Sequence, residues 1–273
     1  MRIIEQLVAS KTGKIEDNAD FIAVTSDFIA VFDGRTARSD LRWHDESGGR
    51  IAARTLAARL QGLPADADAG SAGRYFNRVL MSAYDELDIP NDTRELTTSA
   101  AVFSKARREV WLIGDCQALI DGHPFENRKT IDDVLSDIRS LVLELKLLQG
   151  VSFEQLHRED PGRQFIQPLL KMQHLLQNNS GSMFGYPVLD GTSLSGNGIQ
   201  VRQVASGETQ IVLASDGYPV LKPTLADSES YLTTILAEDP LLFRAFRSTK
   251  GLSPGNQSFD DRAYIRFRIE ARG

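Results

Sequence analysis

An α+β domain, with helices packed outside a pair of sheets, is the fold class that this 273-residue sequence predicts. Three observations predict it. Strand-like and helix-like segments come in blocks: strands, two helices, strands, two helices, strands. The leading strand-like runs are continuously apolar rather than alternating, which suits strands covered on both faces. No internal repeat or low-complexity stretch breaks the order, so residues 1–273 read as a single domain with a helical segment at about 130–178.

Each element has a local reason. Phe21 to Val24 and Phe28 to Phe32 are branched and aromatic runs, joined by the turn formers Thr25, Ser26 and Asp27, so they predict a hairpin. Alanines and leucines at helical spacing predict a helix over Arg50 to Leu60. A small-residue linker, PADADAGSAG, then precedes a second helix over Arg74 to Leu87. SAAVFS, EVWLIGD and QALID return to strand character, and Asp121-Gly122 has the composition of a tight hairpin turn. Thr130 suits a helix cap, with Asp132 and Asp133 favourable in the first turn. Ile131, Val134, Ile138, Leu141, Leu145 and Leu148 then form one apolar stripe. A further helix runs from Phe165 to Leu176. Strands follow in GIQVRQVA, TQIVLASDG and AYIRFRI, with a helix around Ser228 to Ala237.

Composition limits the function. A net charge of −6, with no cluster of Lys and Arg, argues against a nucleic-acid partner. One cysteine, Cys116, permits no disulfide framework. No segment reaches the roughly 20 apolar residues that span a bilayer, and the first residues lack the pattern of a signal peptide. The expectation is a cytoplasmic protein without a membrane partner.

The acidic residues carry the chemistry. Apolar runs end in an acidic residue beside glycine at Asp33, Asp115 and Asp216, and the pairs Glu16-Asp17 and Asp260-Asp261 flank strands. A single Asp-Gly is an ordinary turn, and Asp121-Gly122 and Asp190-Gly191 are read so. Several strands delivering carboxylates to one end of a sheet are different, because the gathered charge needs a counter-ion. Hard divalent cations supply it with oxygen ligands alone. The four histidines, His44, His123, His157 and His174, show no ligand spacing, which with the lone cysteine disfavours zinc.

In order, IEDN at 15–18, VFDG at 31–34, SGGRIAARTLA at 47–57, SAAVF at 99–103, LIGDCQALIDG at 112–122, IVLASDG at 211–217 and DDRAYIRF at 260–267 resemble the metal-dependent protein serine/threonine phosphatases of type 2C. The resemblance implies a four-layer α-β-β-α sandwich, two antiparallel sheets flanked by helix pairs. It also implies a site with two manganese or magnesium ions that activates water against phosphoserine or phosphothreonine in proteins. Carried over by position, Asp33, Asp216 and Asp260 are catalytic metal ligands, with Asp33 bridging the ions and the Gly34 carbonyl binding one. Glu16 and Asp17 bind directly or through water, and Asp115 has a structural role. Glu95 falls where a third ion would be held.

The chain also departs from the pattern. After Asp33-Gly34 it reads RTARSDLRWHDESGG, so Gly48-Gly49 arrives late and Arg35 stands where a histidine is common. An arginine cannot act as an acid. His44 or water would then protonate the leaving group. Lys11 and Lys14 stand in for a phosphate-binding arginine, with Arg35 and Arg38 as alternatives. These departures leave a catalytically silent relative that binds a partner or phosphopeptide as the other reading. An amidohydrolase with an N-terminal nucleophile would need internal cleavage before a residue such as Thr97.

Overall fold

In the computed structural model, which describes residues 1–37, 41–194 and 198–271, ten strands form two antiparallel five-stranded sheets. One is ordered β2 (Asp20–Val24), β3 (Phe28–Gly34), β4 (Thr98–Ser104), β5 (Glu109–Ile113) and β8 (Gln200–Gln203). The other is ordered β1 (Arg2–Ala9), β10 (Arg262–Ile269), β9 (Thr209–Ala214), β6 (Gln117–Ile120) and β7 (His123–Glu126). The strand β1 was not expected: half of RIIEQLVA is exposed, and no apolar pattern marks it as a strand. β7 completes the hairpin that Asp121-Gly122 predicts, although HPFE contains a proline.

The predicted hairpins form. Counting outward from Ser26-Asp27 pairs Phe21 with Phe32 and Asp20 with Asp33. Asp121 and Gly122 both adopt positive φ, as a two-residue turn between β6 and β7 requires.

The continuous apolarity of the strands is explained by burial on both faces. Ile29, Val31, Ala101 and Phe103 of one sheet meet Leu213, Ala263, Ile265 and Phe267 of the other in the central core. The outer face of the first sheet, with Phe28, Phe32, Val102 and Trp111, is covered by α1 (Gly48–Arg59) and α2 (Ala69–Glu86). The outer face of the second, with Val212 and Tyr264, is covered by α6 (Leu225–Glu238). The expected linker is shorter than read, because Asp68 accepts a hydrogen bond from the Ser71 amide and starts α2 five residues early.

Helices α3 (Thr130–Leu148), α4 (Phe153–Glu159) and α5 (Pro161–Met172) make a separate lobe. The apolar stripe read on α3 is covered only in part: Ile131 and Ile138 pack against Leu135, Ile166 and Leu170. Leu141 and Leu148 are 59% and 83% exposed, whereas Leu135, Arg139 and Leu143 face inward. The reason is polar. Arg139 is 0% exposed and donates to Asp160, which caps α5, and to the carbonyls of Leu241, Leu242 and Ser248. A guanidinium has five donors in a fixed fork, so this set of acceptors orients the whole helix. Thr130 is the first residue of α3 rather than its cap; Lys129 takes the cap position and makes no side-chain cap bond.

No helix among the described residues is long and apolar enough to cross a membrane. The Arg139 knot predicts that Arg139→Met leaves Asp160 and several carbonyls without their donor. Chemical denaturation should show a loss of about 3 kcal/mol or more, the scale of a broken buried ion pair.

Candidate metal centre

Antiparallel register brings the acidic strand ends together. Asp33 lies opposite Asp20 on one side and Ser99 on the other, and Ala100 lies opposite Ile113, so β5 runs out toward Asp115 beside them. In the second sheet Ala214 pairs with both Tyr264 and Gln117, which sets Asp216 and Asp260 at the same end. One carboxylate oxygen each from Asp33, Asp115 and Asp216 lies within 4.8 Å of the others.

Two glycines make the approach feasible. A Cβ on Gly34 would sit 2.4 Å from the Gly49 carbonyl oxygen and 2.6 Å from that of Ala19, so the end of β3 touches the start of α1. Gly114 combines φ +80° with a would-be contact of 2.2 Å to Ser99 Oγ, and Ser99 donates to Asp115 at 2.6 Å.

The electrostatics divide the carboxylates into two groups. Burial raises the carboxyl of Asp33 well above its ordinary value, and the charges of Asp20, Asp115 and Asp260 add to it. Asp216 is raised in the same way, by burial first and then by Asp33 and Asp115. Asp20 is 2% exposed and also raised by burial, and its Oδ2 has no hydrogen-bond partner among the described residues. Asp115 and Asp260 go the other way. Burial opposes ionisation of Asp115, but Lys129, at 2.6 Å from Oδ2, and Ser99 outweigh it. Burial is likewise overcome at Asp260 by Lys250, which pairs with Oδ2, and by Lys11 at 3.4 Å from Oδ1.

This donor set fits a hard divalent cation. Its ligands are oxygens, and a buried carboxylate oxygen without a partner requires positive charge or a donor nearby. The centre opens to a cleft of about 220 Å³. Asp33, Asp115, Asp216 and Asp260 line it on the sheet side, and Arg163 and Lys250 on the side of the helical lobe.

The sequence-read residues scatter. Asp33, Asp216 and Asp260 converge, and Gly34 lies beside them. Asp115, expected to be structural, belongs to the carboxylate triad. Glu16 and Asp17 do not join it. They are exposed on a 3₁₀ turn, where Asp17 accepts from Thr12 at 2.8 Å. The residue facing Asp33 is Asp20, which the sequence reading passed over; counting the hairpin register outward from its turn would have found it. Lys14 is exposed and lines no part of the cleft, and Lys11 is bound to Asp260 and Asp261. Arg35 does line the cleft, but its guanidinium pairs with Glu95 at 2.9 Å, which also occupies the residue proposed for a third ion. Arg38 lies outside the described residues. His44 is exposed and does not line the cleft. The cations that reach the centre, Lys129 and Lys250, carried no signal, since each comes from a segment distant in sequence.

No protein-family model matches the sequence, and no curated protein matches it. Among solved structures, the chain is similar to the Mycobacterium tuberculosis serine/threonine phosphatase PstP/Ppp, with TM-score 0.50 and 15% identity over 100% of both chains. The serine/threonine phosphatase Stp1 from Staphylococcus aureus gives TM-score 0.49 and 12% identity over 98% of this chain and 94% of that one. The PPM Ser-Thr phosphatase MsPP from Mycobacterium smegmatis gives 0.47 and 16% over 100% of both. Two stacked antiparallel sheets with helices on their outer faces, matched end to end with PstP/Ppp, give this chain the fold of the type 2C serine/threonine phosphatases.

Proposed function

We propose that the chain is a metal-dependent phosphomonoester hydrolase acting on phosphoserine or phosphothreonine in proteins. The observation that carries this reading is the triad of Asp33, Asp115 and Asp216 at the floor of an open cleft whose walls bear lysine and arginine. Manganese or magnesium bound there would lower the pKa of water and polarise phosphoryl oxygens. The residues of the chain do the rest. Asp33 and Asp216, which form no ion pair among the described residues, hold the cation. Lys129 and Lys250 supply fixed positive charge on either side of it, for the phosphoryl oxygens to face. Among the described residues no histidine lines the cleft, so the departing serine or threonine oxygen takes its proton from water.

One observation favours the second reading, a silent relative that binds a phosphopeptide. Asp260, a ligand in the carry-over from the family, is engaged by Lys250 and Lys11. Turnover separates the two readings.

With manganese, the wild-type chain should hydrolyse an aryl phosphate. Asp33→Asn and Asp216→Asn should each lower the rate by more than about 100-fold, beyond the cost of losing a group outside the coordination shell. Equal rates in all three proteins would sink the assignment.

The metal-free protein should also respond to pH in a fixed direction. Asp20, Asp33 and Asp216 have raised carboxyls in the folded chain, so the folded state holds protons that the unfolded state releases. Their contribution is present below the ordinary value of 3.8 and is lost as pH rises through the raised values. Asp115 and Asp260, being depressed, lose their contribution only as pH falls below 3.8. As pH rises above 3.8, through the raised values, the metal-free Tm should therefore fall. Manganese, which competes with those protons, should raise Tm more at pH 8 than at pH 5.

A further inference from the structure

The carboxylates at the joint end of the two sheets are not equally available to a metal. Asp33 and Asp216 form no ion pair among the described residues, although Lys129 and Lys250 act on them from a distance, and Asp20, whose Oδ2 has no hydrogen-bond partner, lies opposite Asp33 in the hairpin. Asp260 is different on both of its oxygens. Oδ1 accepts from the Asp261 amide at 3.0 Å and from Lys11 at 3.4 Å, and Oδ2 accepts from Lys250. Three of its roughly four acceptor sites are filled by the protein.

Lys250 is held in place. Its ammonium also donates to Thr36 Oγ1 at 3.1 Å, and its side chain is 21% exposed. The backbone before it is fixed by guanidinium groups from the helical lobe. Arg139 bonds the Ser248 carbonyl at 2.9 Å, and Arg163 bonds the Thr249 carbonyl at 2.8 Å. Lys11 approaches the same carboxylate from the other side and is anchored on Asp261 at 3.3 Å. A divalent ion on Asp260 would have to displace Lys250 or stand against its charge, and like charges this close repel strongly where water is scarce.

We infer that the centre takes one divalent cation, held by Asp33 and Asp216, and that the ammonium group of Lys250 on Asp260 stands where the resemblance implies a second ion. This rests on the metal-dependent reading and alters its stoichiometry. It also makes Lys250 a positioning residue, a built-in monovalent charge beside the cleft in place of an exchangeable divalent one. Lys129 closes Asp115 across the centre in the same way, at 2.6 Å from Oδ2, while Ser99 donates to Oδ1.

The test is a calorimetric titration of the chelator-stripped full chain with manganese, checked by equilibrium dialysis. Wild type should bind one manganese per chain. Lys250→Met, which keeps length and removes charge, should bind two, and Lys250→Arg should stay at one. Two ions on wild type would overturn the inference and leave the phosphatase reading standing. None on wild type would overturn both. A count of one for Lys250→Met, with its near-ultraviolet circular dichroism unchanged, would overturn the role given to Lys250. The wild-type count decides the single-ion claim even where that variant fails to fold.

Discussion

Buried negative charge at one end of the two sheets is the constraint on which the rest of this structure depends. Asp20, Asp33, Asp115, Asp216, Asp260 and Asp261 converge where strand ends from both sheets meet. Asp20, Asp260 and Asp261 are buried and the other three are partly covered; an ion taken out of water costs several kcal/mol after relaxation, so each carboxyl needs a positive charge close by or a proton of its own. Lys11, Lys129 and Lys250 meet part of that need, each on a specific carboxylate. Asp20, Asp33 and Asp216 form no such ion pair among the described residues, and their carboxyls are raised instead.

The supporting structure follows from where those lysines originate. Lys129 stands immediately before α3, and its ammonium lies 2.6 Å from Asp115 and over the Tyr186 ring. Lys250 follows a segment whose carbonyls are bound by Arg139 and Arg163. The helical lobe therefore packs on the sandwich through polar knots more than through its apolar stripe, and it fixes a charge at the centre through the chain that leaves those knots. Leu141 and Leu148 of α3 stay exposed because the inward face is taken by Arg139 together with Leu135 and Leu143, each buried in its own apolar cluster.

The three apolar cores of the sandwich supply the rigidity that holds these acidic groups together. The inter-sheet core includes buried Phe103, Ile265 and Phe267, and each such side chain contributes about 1.5–3 kcal/mol. Cys116 lies within it, 0% exposed, and its thiol is raised first by burial and then by Asp33, so it acts as a small apolar residue there. Glycine does the remaining work at the junction of β3 and α1, where Gly34 and Gly49 let two backbones approach more closely than any side chain allows.

Much of this was legible in the amino-acid sequence. Continuous apolar runs marked the doubly covered strands, helical spacing marked α1 and α6, and acidic residues at strand ends marked Asp33, Asp216 and Asp260. Those signals are local, each contained in a window of about ten residues. What escaped was nonlocal. Asp20 was hidden beside the more conspicuous Glu16-Asp17, and only the register of the hairpin shows which acid faces Asp33. The inward face of α3 was missed because one buried arginine, answered by acceptors about 20 and 100 residues away, outweighed a longer apolar stripe. By itself the sequence determined the layers and the acidic ends of the strands, because periodicity and residue type are written along the chain. Tertiary structure alone decided which carboxylates are paired with lysine and which are not, because a salt bridge depends on distance in space and not on spacing in sequence.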